Sequence, residues 1–281
     1  MPLDTKRIQG PETSTPYDLF YESKEDEEPG RDISSQRNDG RKNDQLREIF
    51  LKTAVISQAK GSAYLEMNKT KVICSVFDPR EIPRKSEFSV NGELYCEFKY
   101  APFSGLRRRG HQQDADEKQM SVHLKRALEP AVCRHEFPNL QVDVYVLVLE
   151  NDGSALAAAI TCAGLALADA SVPMFDLVVG VSMGITSDGI KFIDPTLDEE
   201  AACCIPPENG ERSFGKVTAG FLPSLGQMSQ IVQDGSLDID KYSEMIKELS
   251  ELSREAYKLS QECLVKAIQL ANERKVKEVK N

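Results

Sequence analysis

The longest apolar stretch of the chain, residues 140–184, has the pattern of a strand, a buried helix and a second strand. Its first part contains VDVYVLVLE, which is β-branched and apolar, as is typical of a strand buried on both faces. Residues 155–170 are mostly alanine and leucine and carry no charge before Asp169, and a helix that is apolar all round is a buried one. The run MFDLVVGVSMG predicts the next strand, so the stretch forms a central βαβ-like unit.

On the amino-terminal side of this unit, alternating apolar and polar positions predict four further strands, two of them joined by a tight turn at Asn68-Lys69. A helix follows, because apolar residues recur at steps of three and four between Met120 and Leu128, with acidic residues early and basic residues late. The predicted strands cover residues 49–58, 62–67, 71–77 and 94–100, and the helix covers residues 114–130.

On the carboxyl-terminal side, Asp188-Gly189 turns the chain into a short strand, and a β-hairpin follows. The last element is a long helix with one apolar stripe and no glycine or proline. The pattern leaves open whether it is one helix or two with a kink. It favours packing on the domain's own sheet over a coiled coil with a partner, since the charge pairing is irregular. These elements cover residues 190–193, 215–221, 227–232 and 239–273.

The first 42 residues are polar, acidic and rich in turn-forming residues. Residues 1–40 hold ten acidic and five basic side chains, so half of the net charge of −10 lies there. Such a sequence cannot bury enough apolar surface to offset the entropy of ordering it, so we predict a disordered tail. The alternative is a docked segment at residues 17–21, where four of five side chains are large and apolar.

The composition excludes several classes of protein and of site. A pI near 5.0 argues against a globally basic nucleic-acid binder. No apolar run has membrane-spanning length with flanking anchors, so no membrane segment is predicted. Seven cysteines, an odd number, indicate a reducing compartment rather than a disulfide framework. Neither Cys203-Cys204 nor the three histidines have ligand spacing, so we expect no metal and no other cofactor.

Candidate chemistry centres on the turn Asn151-Asp152-Gly153-Ser154, which precedes the buried helix. Asp152 and Ser154 are both candidates to cap that helix. The first N–H groups of a helix are free, and its dipole is positive there, so the turn is a ready site for an anion.

This turn and the hairpin before it resemble the RNase PH family of phosphorolytic exoribonucleases. The hairpin carries GSA and TKV, and the turn carries DGSALA where active members have a run like DGGTRTA. In those enzymes an arginine and a hydroxyl residue of this run hold the phosphate that attacks the end of RNA. The resemblance places Leu156 at the arginine and Ala157 at the hydroxyl residue, and leucine offers phosphate no cationic fork. It therefore implies the fold without the chemistry.

Two charged segments are interpreted through the same resemblance. Arg107, Arg108 and Arg109 lie in a glycine-flanked loop; alone they would suit a solvated loop, but the family carries basic residues here that contact the RNA backbone, as arginine does well. The run DPTLDEE keeps Asp198, Glu199 and Glu200 where active relatives carry an acidic cluster. The second acid of those relatives is missing, so we interpret this run as a solvated face and predict no catalytic residue.

The pattern as a whole predicts an α+β chain with the RNase PH-like fold, in which two strand-rich halves surround buried helices and a long C-terminal helix follows. We divide it into an acidic tail at residues 1–42, an RNase PH-like domain at residues 43–275 and a charged end at residues 276–281. Several runs, among them SQAKGSAYLE, ALEPAV and ALADASVPMFDLVVG, are similar to the messenger-RNA-transport (MTR) type ring subunits of the eukaryotic RNA exosome.

That resemblance implies a six-membered ring of RNase PH-like chains around an RNA-threading channel, with RNA-binding cap subunits on one face and a hydrolytic ribonuclease beneath. The chain would then be a non-catalytic wall segment in the nucleus, nucleolus and cytoplasm, which contacts single-stranded RNA through residues 107–109. The alternative is an active phosphate-dependent 3'-to-5' exoribonuclease. An RNA chaperone or adaptor outside any ring is a third hypothesis.

Overall fold

The computed structural model describes residues 37, 39–82, 88–105, 108–206 and 213–280. Within them the chain forms two sheets and four α-helices, which confirms the predicted α+β class. The strands are β1 (Ile49–Thr53), β2 (Gly61–Met67), β3 (Thr70–Glu81), β4 (Glu93–Tyr100), β5 (Leu140–Glu150), β6 (Val179–Ile185), β7 (Lys191–Ile193), β8 (Phe214–Leu222) and β9 (Gln227–Ser236). The helices are α1 (Ala115–Leu128), α2 (Ala155–Asp169), α3 (Leu197–Cys203) and α4 (Ile239–Lys280).

The first sheet has the strand order β1-β2-β3-β5-β4. Its neighbouring strands are antiparallel except for β4 and β5, which run parallel. Side chains of a strand alternate between its two faces, and in β3 the alternate residues Val72, Cys74 and Val76 are buried. They form one core with the inner faces of α1 and α2.

The second sheet has the order β7-β6-β8-β9 and is antiparallel throughout. One face packs on α4, where Met183 meets a cluster that includes Met245 and Leu249. The other face approaches α2 closely, since a Cβ atom at Gly180 would lie 2.4 Å from the backbone oxygen of Ala157. Only glycine permits this approach of strand to helix.

Helix α2 is buried along almost its whole length, as predicted. The βαβ-like unit differs from the prediction, because β5 belongs to the first sheet and β6 to the second. The helix therefore lies between two sheets, which explains why it is apolar on every side. The predicted strand at residues 174–184 begins only at Val179, while Met174 forms an isolated bridge with Val132.

Among helices α3 and α4 and strand β1, two of the three differ from the predicted elements. Helix α4 is one uninterrupted element and packs on β6, β8 and β1, so it lies on its own domain as expected. Strand β1 ends at Thr53 rather than near residue 58, because Ala54 adopts a left-handed conformation with φ of 54°. The short helix α3 was not predicted, and it lies in the acidic run.

The amino-terminal segment meets the domain earlier than the predicted boundary at residue 42. Arg37 is 3% exposed and residues 39–42 lie beside it, within the range assigned to the tail. The rest of the predicted tail, including residues 17–21, lies outside the described residues. At the other end, α4 continues to Lys280, into the segment predicted as a charged end.

Candidate functional site at the carboxyl ends of two parallel strands

The two stretches with candidate chemistry leave the same edge of the first sheet. Strands β4 and β5 are parallel, and Tyr100 near the end of one pairs with Val148 near the end of the other. The backbone N–H of Asn151 donates a hydrogen bond of 3.0 Å to the carbonyl oxygen of Ser104. We call residues 151–154 the α2 turn and residues 101–110 the arginine loop. Parallel pairing makes them neighbours.

The backbone of the α2 turn is strained into the left-handed region at two successive residues. Gly153 has a φ of 82°, and a Cβ atom there would lie 2.5 Å from the carbonyl oxygen of Pro195, so glycine is required. Ser154 has a φ of 53°, and its hydroxyl donates to that same Pro195 oxygen at 3.0 Å. Of the two candidates, Ser154 is the N-cap residue of α2, but its side chain makes no capping hydrogen bond to the helix. Asp152 is not the cap of α2, and its carboxylate accepts from the backbone of Leu197 at the start of α3.

A carboxylate of the chain itself lies at the N-terminus of α2. The backbone N–H of Ser154 donates a hydrogen bond of 2.8 Å to Oε1 of Glu200, and Nζ of Lys216 lies 3.5 Å from Oε2. Burial lowers the pKa of Lys216, but the negative charges of Glu200 and Asp234 outweigh it, so the pKa is raised. The positive end of the helix and a cation thus hold the negative group, as they would hold a bound anion.

Leu156 and Ala157, which the resemblance aligns with the phosphate ligands of active relatives, are buried. Leu156 is 7% exposed and Ala157 is 3% exposed. Leu156 belongs to the hydrophobic cluster that α2 forms with the first sheet. At this position the chain has packing in place of a cationic group.

A buried arginine that was not predicted from the sequence holds the α2 turn by hydrogen bonds to its backbone. Arg47 is 2% exposed and donates two hydrogen bonds of 2.7 Å each to the carboxylate of Asp194. It also donates to the carbonyl oxygens of Asp152 and Gly153, at 2.9 and 3.2 Å. Burial raises the pKa of Asp194, but the hydrogen bonds and charge of Arg47 outweigh it, so the pKa is lowered.

A second buried arginine pairs with the acidic run, which was predicted to be a solvated face. Arg37 donates hydrogen bonds of 2.8 and 2.6 Å to the two carboxylate oxygens of Glu199, which is 5% exposed. Glu199 also accepts from the backbone N–H of Thr196 and so completes a capping box for α3. Glu199 and Glu200 are engaged with the protein, so the prediction of a solvated face is wrong for both. The reason is tertiary: their partners lie far away in the chain.

The three arginines of the loop are not equivalent. The guanidinium of Arg109 lies 4.2 Å from the ring centroid of Tyr100, and its backbone N–H donates to Pro102 at 3.1 Å. One of its nitrogens lies 3.9 Å from the carboxylate of Asp114. Arg108 is exposed. Arg107 lies outside the described residues, so its predicted contact with RNA stays a prediction, as it does for the other two.

The buried polar side chains of the described residues are all hydrogen-bonded. Every buried side-chain nitrogen or oxygen atom there has a hydrogen-bond partner. In the same residues no group of three or more histidine, cysteine, aspartate or glutamate side chains is arranged to hold a metal ion. None of the described helices has the length and apolar character needed to cross a membrane.

Comparisons with known proteins agree with the fold. The RNase PH family model (3' exoribonuclease family, domain 1) matches residues 45–173. Exosome complex component MTR3 of Homo sapiens is 36% identical over 283 residues, which cover 95% of this chain and 96% of the relative. The crystal structure of Rrp46 from rice (Oryza sativa) superposes with a TM-score of 0.68 at 24% identity, covering 80% of this chain and 98% of that one.

A second solved structure has the same fold at lower identity. It is that of an Archaeoglobus fulgidus exosome with RNA bound to the active site, and it matches with a TM-score of 0.67 at 20% identity. The match covers 79% of this chain and 91% of the archaeal one.

Proposed function

The chain belongs to the RNase PH-like exosome components, and we propose that it is a non-catalytic subunit of the exosome ring that helps to form the RNA-threading channel. Its identity of 36% to the human component MTR3 extends over nearly the whole of both chains, which supports the same place in a heteromeric complex. The process it serves is RNA processing and degradation from the 3' end.

The partners we propose follow from the fold. Strands β1 and β9 lie at the edges of their sheets, and edge strands and exposed apolar residues such as Phe175 and Ile205 are liabilities unless they are covered. We therefore propose that other RNase PH-like chains flank this one. RNA-binding cap subunits, a hydrolytic ribonuclease and a location in nucleus, nucleolus and cytoplasm belong to the same proposal and rest on the resemblance.

The α2 turn carries the non-catalytic part of the proposal. A phosphate in this position would need a cationic fork, but Leu156 is packed in the core. The N–H group of Ser154 that faces the site is already bonded to Glu200. A bound phosphate would therefore have to displace an internal carboxylate that Lys216 also pairs with. In an active enzyme, preorganised charged and hydrogen-bonding groups commonly lower the reaction barrier by about 3–4 kcal/mol. Here the N–H of Ser154 and the ammonium of Lys216 bind Glu200 instead.

The arginine loop carries the RNA-binding part. Arg108 is exposed at the sheet edge where the α2 turn also emerges, and Arg109 is held on Tyr100. Guanidinium groups bind phosphate oxygens through forked hydrogen bonds and so hold a nucleic-acid backbone without reading its sequence. We propose Arg107, Arg108 and Arg109 as the residues that contact single-stranded RNA in the channel.

The test is phosphate-dependent trimming of an oligoribonucleotide, first by the purified chain and then by the chain with its ring neighbours. We expect no release of nucleoside diphosphates that depends on this chain. Release that requires phosphate and disappears in an Asp198→Asn, Glu200→Gln double variant would instead establish the phosphorolytic exoribonuclease. A catalytically active relative, assayed in parallel, controls for the RNA and the buffer.

A further inference from the structure

The segment before β1 is attached to the second sheet by a side chain that lies inside the protein. Arg37 is 3% exposed, and its guanidinium lies 5.4 Å from the ring centroid of Phe192 in β7. It donates to the carbonyl oxygens of Ile193 and Asp194 at 2.9 and 3.1 Å. Further along the segment, the carbonyl oxygen of Asn43 accepts from the N–H of Ile193 at 3.0 Å. The segment therefore lies along β7, with Arg37 as its buried anchor.

The same guanidinium holds helix α3 through a forked ion pair. Nε and Nη2 of Arg37 donate to the two carboxylate oxygens of Glu199 at 2.8 and 2.6 Å. Bidentate pairs of arginine and carboxylate are strong and directional. Of the seven residues of α3, Glu199 and Cys203 are buried, so the helix itself contributes little apolar surface to hold it in place. The position of α3 therefore depends on its pair with Arg37.

The residue after Glu199 is the carboxylate that lies at the α2 turn. Glu200 accepts from the N–H of Ser154 at 2.8 Å. Successive side chains of an α-helix point about 100° apart, so the two carboxylates leave α3 in different directions, one toward Arg37 and the other toward the turn. A short helix held on one side by Arg37 thus presents Glu200 on another. One ion pair, one turn of helix and one hydrogen bond connect Arg37 to Ser154.

We propose that Arg37 is a positioning residue for the internal anion. By fixing α3, it holds the carboxylate of Glu200 at the N-terminus of α2, where the helix dipole favours a negative charge. This role rests on the proposed function, in which the turn binds no phosphate because Glu200 lies there. It adds that the occupancy of the turn is set from a distant part of the chain, through α3. Breaking the pair of Arg37 with Glu199 would let α3 move and would free the N–H of Ser154.

The test is hydrogen–deuterium exchange in the ring reconstituted with the full chain, read by mass spectrometry in peptides that cover the α2 turn and α3. We expect Arg37→Ala to speed exchange in both peptides by roughly 10-fold, because the bond of Ser154 to Glu200 opens more often. Peptides from β2 and β3 should keep their rates. Arg37→Lys should give a smaller increase, since it keeps the charge and loses the fork.

A second pair of variants separates positioning from general loss of stability. In a chain that carries Glu200→Ala, the bond to the turn is already lost, so adding Arg37→Ala should not speed exchange in the turn further. Independent effects would instead multiply the two increases. Arg41→Ala is the matched control, because Arg41 lies in the same segment and its side chain bonds Asp39 and Asp194, which lie outside α3.

The outcomes separate this role from the function on which it rests. Unchanged exchange in the turn with Arg37→Ala, or an increase that multiplies with that of Glu200→Ala, would overturn the positioning role. If Arg37→Ala does not fold, the double variant Arg37→Ala, Glu199→Gln leaves no buried charge unpaired; fast exchange in its turn supports the role, and wild-type exchange there overturns it. Phosphate-dependent release of nucleoside diphosphates by the wild-type chain, with the exchange results as expected, would refute the proposed function and leave the link between Arg37 and Glu200 standing.

Discussion

The α2 turn and the arginine loop leave the same edge of one sheet, yet they use their polar groups in opposite ways. In the α2 turn, the hydrogen-bonding groups are consumed internally: Ser154 binds Glu200, and Arg47 binds Asp194 and the turn carbonyls. In the arginine loop, Arg108 and Phe103 face solvent. The polar groups of the first region are bonded within the chain, whereas the side chains of the second face solvent.

Under the proposed function, this difference separates a turn without phosphate chemistry from a loop that binds RNA. The resemblance places Leu156 where active relatives carry an arginine, and that change alone would leave an anion site without its cation. In this chain the site is filled, since Glu200 takes the position at the helix N-terminus and Lys216 balances its charge. The five predictions below test this contrast, starting with the group whose loss should reduce stability most.

Loss of the buried carboxylate beneath the α2 turn should have the largest effect. Asp194 is 3% exposed and accepts both hydrogen bonds of the Arg47 fork. We expect Asp194→Ala to lower the free energy of unfolding by about 3–5 kcal/mol, because it leaves a buried arginine without its partner. Urea unfolding followed by circular dichroism measures it. Asp78→Ala removes an exposed carboxylate from an ion pair with Lys60 and should change little.

The same carboxylate predicts a pH dependence. The pKa of Asp194 is lowered in the folded chain from its ordinary value of 3.8, so its contribution to stability is complete above that pH. The contribution is lost as the pH falls through the lower pKa of the folded state. The difference in unfolding free energy between the wild type and Asp194→Asn should therefore shrink below pH 3.8. A difference that stays constant into strong acid would contradict the assignment.

The next largest effect is expected at the residue that the resemblance aligns with the family's arginine. Leu156 is 7% exposed in the core cluster, so Leu156→Ala should lower the free energy of unfolding by about 2–4 kcal/mol. Leu225→Ala, at a position that is 50% exposed, is the control. Leu156→Arg should also destabilise the chain and should not produce phosphorolysis, because Glu200 still occupies the turn. Appearance of nucleoside diphosphates with Leu156→Arg alone would show that the turn is open.

A smaller effect is expected for the internal anion. Glu200→Gln keeps an acceptor for the N–H of Ser154 but removes the charge that faces the helix dipole and Lys216. We expect a loss of about 1 kcal/mol of unfolding free energy, which higher salt should diminish. Lys216→Met should give a loss of similar size, and the double variant should lose less than the sum of the two, since both losses include the Glu200–Lys216 interaction. Fully additive losses would mean that the pair does not interact.

The smallest change in stability is expected in the arginine loop, where the change in RNA binding should be the clearest. Arg108→Ala should change the free energy of unfolding by less than about 0.5 kcal/mol, because the side chain is exposed. For single-stranded RNA bound to the assembled ring, it should lower the slope of log affinity against log salt by about 0.7. The matched change Lys266→Ala, on an exposed part of α4, should leave that slope as it is.

The comparison also marks the limit of what the sequence predicts. Strand β5 and helices α2 and α4 were predicted because they are long and strongly periodic, and such periodicity is local. Arg47 was not predicted as a structural centre, because its partner Asp194 is 147 residues away along the chain. The buried position of Glu199 was not predicted for the same reason: its partner Arg37 is 162 residues away, in a segment with the composition of a disordered tail.

In the candidate site, too, some residues were predicted from local sequence and others were not. The resemblance to the family proposed Leu156 and the arginine loop as candidates, since both lie in recognisable runs, and their roles stay predictions. It did not identify Glu200 as the internal anion, because a run of acidic residues has the same pattern whether it faces solvent or a helix N-terminus. Only the register of α3 against the α2 turn distinguishes the two.

The measurement that tests the contrast most directly uses one sample of the reconstituted ring, a long single-stranded RNA and phosphate. Crosslinking to this chain and the length of the recovered RNA are read together, for the wild type and for the variant with Arg107, Arg108 and Arg109 all changed to alanine. We expect crosslinks that depend on the loop and RNA of full length in both samples, when the neighbouring chains are inactive. Phosphate-dependent shortening of the RNA by the wild-type chain would contradict the proposal that the α2 turn binds no phosphate. Crosslinks of equal strength in the triple variant would contradict the proposal that the arginine loop binds RNA.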